Sequence, residues 1–505
     1  MTNFKNHPSL LPTLKLWQVK KLRLAKKKVT VMGLGLYENG SGISATRFLV
    51  SQGAKVTVTD LKTTKELAVQ IKRLGKLTKK IKFVLGRHRE KDFKNIDLII
   101  KNPGVRNTSK YLKIAVKNKI PIETDISLFF QLVSRKRIIG VTGTRGKSTT
   151  VSLLYEILKT ENKHTILGGN ITKSPLAQMA EVKKDGSIIL ELSSWMLESL
   201  ESHQISPHIS IFTNIFRDHL NTYNGIKDYI SAKENIWRWQ NLQDYVILNR
   251  DDKYVSKMGS QVLAQRFWVS MKEFKEENGC FIRADNIYFR LDGREQKIIS
   301  TKEIKLLGEH NVYNVMCAIS VAMIYGIKIS NIKKVVENFK GIADRLELVR
   351  EIKGVKYYND TTATMPDATV AALWALPGLK SIKSPPKADW RKVYKVVLIG
   401  GGSDKELDFK DFAKEVKRYC KVVVLFRGNA TEKIKKELKK VGYKKSLTEV
   451  GSMADAVGVA NSFVEKGDIV LLSPGATSFG LFDNEFDRGN QFREIVGHLK
   501  STNYE

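Results

Sequence analysis

Lys136–Leu158 reads KRIIGVTGTRGKSTTVSLLYEIL, and the reading of its middle decides the fold. A short apolar run ending at Val141 meets two glycines and a Lys-Ser pair, and a helical pattern starts at once. Strand, glycine turn and helix in that order form a phosphate cradle. Successive backbone N–H groups wrap an anion at a helix N-terminus, a lysine adds charge, and a Ser or Thr hydroxyl holds Mg²⁺. The usual spacing is G-x-x-x-x-G-K-[ST]. Counted back from Gly146, its first glycine would fall on Val141, whereas the glycines present are Gly140 and Gly143. None of the three tasks needs that first glycine. Gly143, Thr144 and Gly146 supply the tight backbone, and Lys147, Ser148 and Thr149 supply the side chains. The competing reading is an ordinary glycine turn between a strand and a helix.

Outward from this unit, strand-like runs alternate with helical patterns along the whole chain, which predicts an α/β protein with largely parallel sheets. Upstream, KVTVMGLG (28–35) is a buried strand entering glycines, ISATRFLVSQG (43–53) a helix, KVTVTD (55–60) a second strand, and IDLIIKNPGV (96–105) a strand ending in a turn. Downstream, GSIILELSS (186–194) and HISIFTN (208–214) continue the central unit. A third begins near ADRLELV (343–349) and includes VVLIGGGSDK (396–405), KVVVLFRG (421–428) and DIVLLSPGATS (468–478). Boundaries are therefore expected near 136 and 342, giving domains 1–136 (with a basic extension over 1–28), 137–342 and 343–505. PGLKSIKSPPKADWRK (377–392) reads as a surface loop.

The chain has 505 residues and buries a sizeable core without staples. Its three cysteines, Cys280, Cys317 and Cys420, are far apart, which indicates neither a disulfide framework nor a zinc site and suits a reduced, cytoplasmic setting. No secretory h-region is visible at the N-terminus. The uncharged stretch 311–327 is short for a span of roughly 20 apolar residues and reads as a buried helix. Lys+Arg outnumber Asp+Glu by 86 to 52, a net charge of +34. The lysines are spread along the chain with modest clusters at 20–28, 79–82 and 433–445, so a solvated surface is expected rather than a specific nucleic-acid partner.

Further residues fall where ligands of parallel sheets gather, at the carboxyl ends of strands. Glu191 ends the strand SIIL, a position for Mg²⁺ or for a salt bridge. His219 follows the strand before TNIFRDHLNTY (213–223). Lys233 lies in YISAKENIW (229–237), where pattern alone makes it a helix-surface lysine. The compressed loop GVTGTRGKSTT, together with these residues, resembles the Mur ligase family, the ATP-dependent amide ligases of peptidoglycan synthesis. Arg145 stands where that family usually has Asn. LLGEHNVYNVMCA (306–318) is similar to the family's H-N-x-x-N helix, ADRLELV to its turn into the third domain, and YYNDTTATMPDAT (357–369) to a loop often written N-D-S-K-A-T, with Thr362 in place of the lysine.

The resemblance implies three domains: a Rossmann-like UDP-binding domain, a central P-loop ATPase domain and a C-terminal Rossmann-like domain. It implies nucleotide contacts from Asn311, Asn314, Arg345 and Asp360. It places two Mg²⁺ ions near Ser148, Glu191, His219 and a CO₂-derived carbamate on Lys233. Asn170 in GGNIT and the first-domain residues Gly35, Asp60 and Asn102 would hold a UDP-linked substrate. The loop GLGLYENGSG (33–42) departs from G-x-G-x-x-G at Glu38. Thr364, Lys405, Ser478 and Phe479 would grip an incoming amino acid. LLSPGATSFGLFDNEFDRG (471–489) points to the D-glutamate-adding branch. The implied substrates are thus ATP, UDP-N-acetylmuramoyl-L-alanine and D-glutamate, with a monomer expected. Rival readings are a sister ligase adding another amino acid, a folylpolyglutamate-type synthetase, a nucleic-acid-stimulated NTPase, and an oxidoreductase using the first glycine loop.

Overall fold

The computed structural model describes residues 24–171, 173–216, 223–376, 395–404, 406–478 and 480–499. His219, Lys405 and Phe479, most of the basic extension and the whole 377–392 loop lie outside the described residues.

Three sheets follow one another along the chain. The first joins β1 (Lys28–Met32), β2 (Lys55–Asp60), β3 (Ile81–Leu85), β4 (Leu98–Lys101) and β5 (Ile122–Glu123) in the order β3-β2-β1-β4-β5, all parallel. The order reverses between β1 and β4, and a crevice opens at such a switch point. The second sheet has nine strands: β6 (Ile138–Thr142), β7 (Ile166–Gly169), β8 (Ile188–Glu191), β9 (Ile209–Phe212), β10 (Tyr245–Asn249), β11 (Gln265–Ser270), β12 (Gly279–Arg283), β13 (Asn286–Leu291) and β14 (Arg294–Ser300). Their order is β14-β13-β12-β11-β10-β9-β6-β8-β7, and every residue of β6, β8, β9 and β10 is buried. Continuous apolar runs are what strands covered on both faces require. The third sheet orders β15 (Glu347–Ile352), β16 (Val355–Asn359), β17 (Val396–Gly401), β18 (Cys420–Phe426), β19 (Ser446–Val450) and β20 (Ile469–Leu472) as β15-β16-β20-β17-β18-β19.

Two departures from parallel pairing occur. Strands β12, β13 and β14 form an antiparallel meander, and β15 pairs antiparallel with β16. The meander's turns carry positive φ at Ala284 and Asp285, and again at Asp292 and Gly293, as two-residue hairpin turns demand.

The chain divides into two compact units, Met1–Ile304 with His310–Asn338, and Lys305–Glu309 with Phe339–Glu505. The first two sheets therefore share a unit. One apolar cluster runs from Val29 and Val31 through Phe129 to Ile188 and Leu190. The helix Asp125–Leu132 supplies the join. Thr124 and Ser127 cap its start reciprocally, and seven of its residues are buried. In the other unit, separate apolar clusters cover the two faces of the third sheet. Among the described residues no helix is long and apolar enough to cross a membrane, and the three cysteines are free and buried.

Candidate active site

The loop after β6 has the shape that its sequence demands. Gly146, directly before the helix Lys147–Lys159, has φ +83, and Gly143 has φ +144. Neither position tolerates a side chain. A Cβ on Gly143 would lie 1.9 Å from Thr213 Oγ1, and one on Gly146 would lie 2.2 Å from Asn314 Oδ1. The loop is held from outside by the turn after β9. Thr144 N–H donates to the Asn214 carbonyl at 2.9 Å and Arg145 N–H to Asn214 Oδ1 at 2.8 Å, while Thr213 Oγ1 donates to the Arg145 carbonyl at 2.6 Å. Asn314 Oδ1 accepts from Thr150 Oγ1, and its Nδ2 donates to Asn311 Oδ1, so both asparagines of the 306–318 stretch stand at the loop. Lys147 Nζ curls back to donate to the carbonyls of Gly143 and Thr144, each at 2.9 Å.

Around the loop, four neighbouring strands end together. Register pairs Val141 with Glu191 and Gly169 with Glu191, which sets Asn170, Glu191, the loop and Thr213 at adjacent carboxyl ends. Glu191 is 3% exposed. Its Oε1 accepts from Asn170 Nδ2 at 2.9 Å, while Oε2 is buried with no hydrogen-bond partner among the described residues. A buried carboxylate oxygen left unpaired costs several kcal/mol unless a cation or donor meets it. Oxygen ligands from Glu191 and Ser148 are the hard donors that Mg²⁺ takes, with phosphates and water completing its shell. The described residues contain no group of three or more His, Cys, Asp or Glu arranged to hold a metal by themselves.

Lys233 is the largest surprise. It sits in the helix Ile226–Glu234, yet it is 2% exposed. Its Nζ donates to the Gly143 carbonyl at 3.0 Å and lies 4.8 Å over the Tyr229 ring. The surface position that its helical pattern suggests is thus wrong, because this face of the helix packs beneath the phosphate loop.

In the first sheet, Asp60 ends β2 with both oxygens engaged. Oδ2 accepts from Leu34 N–H at 2.8 Å and Oδ1 from Lys62 N–H at 2.9 Å. It braces the 33–42 loop from beneath. Gly35, with φ +81, faces Asn102, whose Nδ2 would be 3.2 Å from an added Cβ. Asn102 Oδ1 caps its own turn by accepting from Gly104 N–H. The loop also reaches the turn after β7, since Ser174 N–H donates to the Asn39 carbonyl at 2.8 Å.

Comparisons with known proteins cover the same three sheets. The family model described as "Mur ligase MurD-like, N-terminal domain" matches residues 27–124, "Mur ligase middle domain" matches 141–322, and "Mur ligase, glutamate ligase domain" matches 344–475. The chain belongs to the Mur ligase family. This Mur ligase is 39% identical over 487 residues to UDP-N-acetylmuramoylalanine–D-glutamate ligase of Roseiflexus sp., covering 94% of this chain and 99% of that one. It is 40% identical over 476 residues to the protein of the same name from Borreliella burgdorferi, covering 93% and 97%. In fold it is similar to the UDP-N-acetylmuramate–alanine ligase of Thermotoga maritima, with a TM-score of 0.58, 21% identity and 94% of this chain covered.

In the third sheet's unit, Arg345 occupies a strained turn of the Mur ligase. Asp344 and Leu346 on either side have φ +67 and +43. Such backbone persists only where neighbours fix it, and here Arg493 and Asn359 hold Asp344 at 2.8 and 2.9 Å. The Arg345 guanidinium makes no hydrogen bond or ion pair among the described residues. Asp360 is buried, accepting from Leu346 N–H and Ser473 Oγ. Thr362 donates to the Asp344 carbonyl, so the residue in the lysine's place is part of the turn. Thr364 is partly buried and Ser478 is buried.

Sequence reasoning missed Thr213, Asn214, Arg493 and Arg488. Arg488 is fully buried and donates to Thr361 Oγ1 and to the carbonyls of Thr361 and Ala476, tying together the loops that carry Asp360 and Ser478. Burial lowers its pKa to about 10. A run of polar residues after a strand, such as Thr213-Asn214, was the available signal for the first two. Nothing local marks an arginine as internal.

Proposed function

We propose that this chain joins D-glutamate to the L-alanyl carboxyl of UDP-N-acetylmuramoyl-L-alanine. That it is an ATP-dependent ligase of peptidoglycan precursor synthesis follows from its family and relatives. The amino acid is read from relatives of that name that match end to end. The observation that carries the chemistry is the unpaired, buried Oε2 of Glu191 beside a phosphate loop.

ATP supplies the phosphoryl group that makes the alanyl carboxylate an electrophile, as an acyl phosphate, and Mg²⁺ neutralises charge on the phosphates. The chain's part is positioning and electrostatics. The N–H groups of Gly146, Lys147, Ser148 and Thr149, at the start of the helix, would wrap the phosphates, since those of Thr144 and Arg145 are taken by Asn214. Lys147 would exchange the Gly143 and Thr144 carbonyls for phosphate oxygens. Ser148 and Glu191 would face one Mg²⁺, with Asn170 holding Glu191 in place. Asn311 and Asn314 keep their proposed nucleotide roles, with Asn314 fixing Gly146, and Arg345 and Asp360 keep theirs. Gly35, Asp60 and Asn102 shape the UDP site, Asp60 by bracing the loop. Thr364 and Ser478 would bind the amino acid's carboxylates.

Lys233 is proposed as a carbamate serving a second ion. Its ammonium first gives up one proton; the neutral amine then adds to CO₂, an N–C bond forms, and a second proton leaves to solvent, turning a cation into an anion. His219, Lys405 and Phe479 retain the roles that the resemblance implies. The modules are read as 1–136, 137–342 and 343–505. The test is a substrate panel: phosphate release with UDP-N-acetylmuramoyl-L-alanine and each of D-Glu, L-Glu, L-Lys and D-Ala. Release with D-Glu alone is expected; equal release with L-Lys would move the chain to a sister activity.

A further inference from the structure

At the carboxyl end of β4, where Lys101 precedes Asn102, a cavity of about 360 Å³ opens between the first sheet and the helix Ser194–Glu201. Its wall combines apolar Leu112, Ile122 and Val116 with the Trp195 side chain and two opposite charges, Lys101 and Glu198. None of these residues belongs to the phosphate loop, the proposed Mg²⁺ ligands or the 33–42 loop.

Lys101 is the feature that calls for a ligand. It ends β4 and is only 8% exposed. Of three ammonium donors, one reaches the Val105 carbonyl at 3.1 Å, and no carboxylate lies within ion-pairing distance among the described residues. A buried cation held by a single neutral acceptor is poorly compensated. Glu198 attracts Lys101 but forms no ion pair with it among the described residues, and burial pushes its carboxyl up towards the neutral form. Burial likewise pulls the Lys101 ammonium below the ordinary lysine range, against the opposing attraction of Glu198. Exposed Lys113 stands at the rim and adds to the positive balance. The volume falls within the range of small-molecule sites, which combine an apolar lining with a few fixed polar groups.

We propose that this cavity is a second ligand site, which takes a small monocarboxylate with a flat apolar body, its carboxylate on Lys101 and its body between Leu112, Ile122 and Trp195. The site spans two sheets of one compact unit, so an occupant would contact the first sheet and the ATP-binding sheet's helix at once.

The experiment is calorimetric titration of the full chain with phenylacetate, 3-phenylpropionate and indole-3-acetate, each against its neutral amide. At least one acid should bind saturably with a stoichiometry of one, and its amide about tenfold more weakly or worse, as loss of a charge-assisted contact implies. Lys101→Met, which keeps the stem's packing, should weaken the acid by a similar factor while ATP-dependent ligation continues. The acid-against-amide comparison stands even if that variant folds poorly. No saturation by any acid, equal binding of acid and amide, or unchanged binding to a folded Lys101→Met would overturn the proposal. Displacement by UDP-N-acetylmuramoyl-L-alanine in direct competition would also overturn it, by putting the ligand in the substrate cleft.

Discussion

Lys147 and Lys233 approach the same loop with one charge each, and their surroundings separate their roles. Lys147 reaches over the loop from its first helical position, partly buried, and packs against no core. Lys147→Ala should therefore leave the thermal midpoint close to wild type while kcat falls about 10²–10³-fold, the scale for removing one preorganised charge-stabilising donor. Phosphate-release kinetics beside a melting curve check this, and near-normal turnover would remove the loop from catalysis. Lys233 lies beneath the loop on the Gly143 carbonyl and the Tyr229 ring. If its working form is a carbamate, Lys233→Ala should be nearly inactive, and acetate or formate, entering the vacated space as a surrogate carboxylate, should restore part of the rate. A lysine needed only to hold the Gly143 carbonyl would give a variant that carboxylates do not rescue. Rescue titrations, with chloride as the control anion, separate the two.

At the scale of elements, the helix Asp125–Leu132 joins two sheets through a carboxyl group that water does not reach. Asp125 is buried; Oδ2 accepts from Ser174 Oγ at 2.5 Å, and Oδ1 has no partner among the described residues. Burial outweighs the Ser174 bond and raises its pKa above the ordinary carboxylate range. In the unfolded chain an Asp releases its proton near pH ~3.9. Between that value and its raised native value the folded state holds the extra proton, so the wild type loses stability as pH rises through this window. Asn does not titrate. Asp125→Asn should therefore gain on the wild type in urea midpoint as pH rises from about 4 towards neutrality; a difference that stays constant would mean that Asp125 is ionised in the fold. This helix also marks how far sequence reading reaches. Buried strands such as β6 and β8 and the loop glycines were legible, because close packing on both faces and positive φ leave direct traces in residue type. The 279–300 meander was not read, although Asp292-Gly293 is a hairpin signal, because its strands are short and half polar. The burial of Lys233 and Arg488 was illegible from pattern alone. Each is enclosed by residues distant in sequence, and helical periodicity records an average face rather than one side chain's partners.

Across the whole molecule the unresolved quantity is a charge of +34 on an enzyme whose substrates carry phosphates. Two distributions are possible: charge focused at the sites, or charge spread over the surface. The described residues favour the second. At the phosphate loop the charges in place are few, with Arg145 in the loop, Lys147 on loop carbonyls and Lys233 buried beneath. Many lysines lie elsewhere, as in the helix Asn429–Lys440, where Lys435 and Lys440 pair with neighbouring glutamates and Lys436 and Lys439 are unpaired among the described residues. Exposed pairs of that kind contribute little, and salt screens them. Non-specific nucleic-acid association should then fall steeply and log-linearly with salt, as counterion release requires. The kcat/KM of D-glutamate ligation should fall far less over the same range, because contacts made by backbone N–H groups and a buried carboxylate are poorly screened. One salt titration with two readouts, DNA or RNA binding and ligation, compares the slopes directly. Parallel slopes would put the surface charge in the service of substrate capture, and nucleic-acid binding that resists salt and selects sequence would give it another partner altogether.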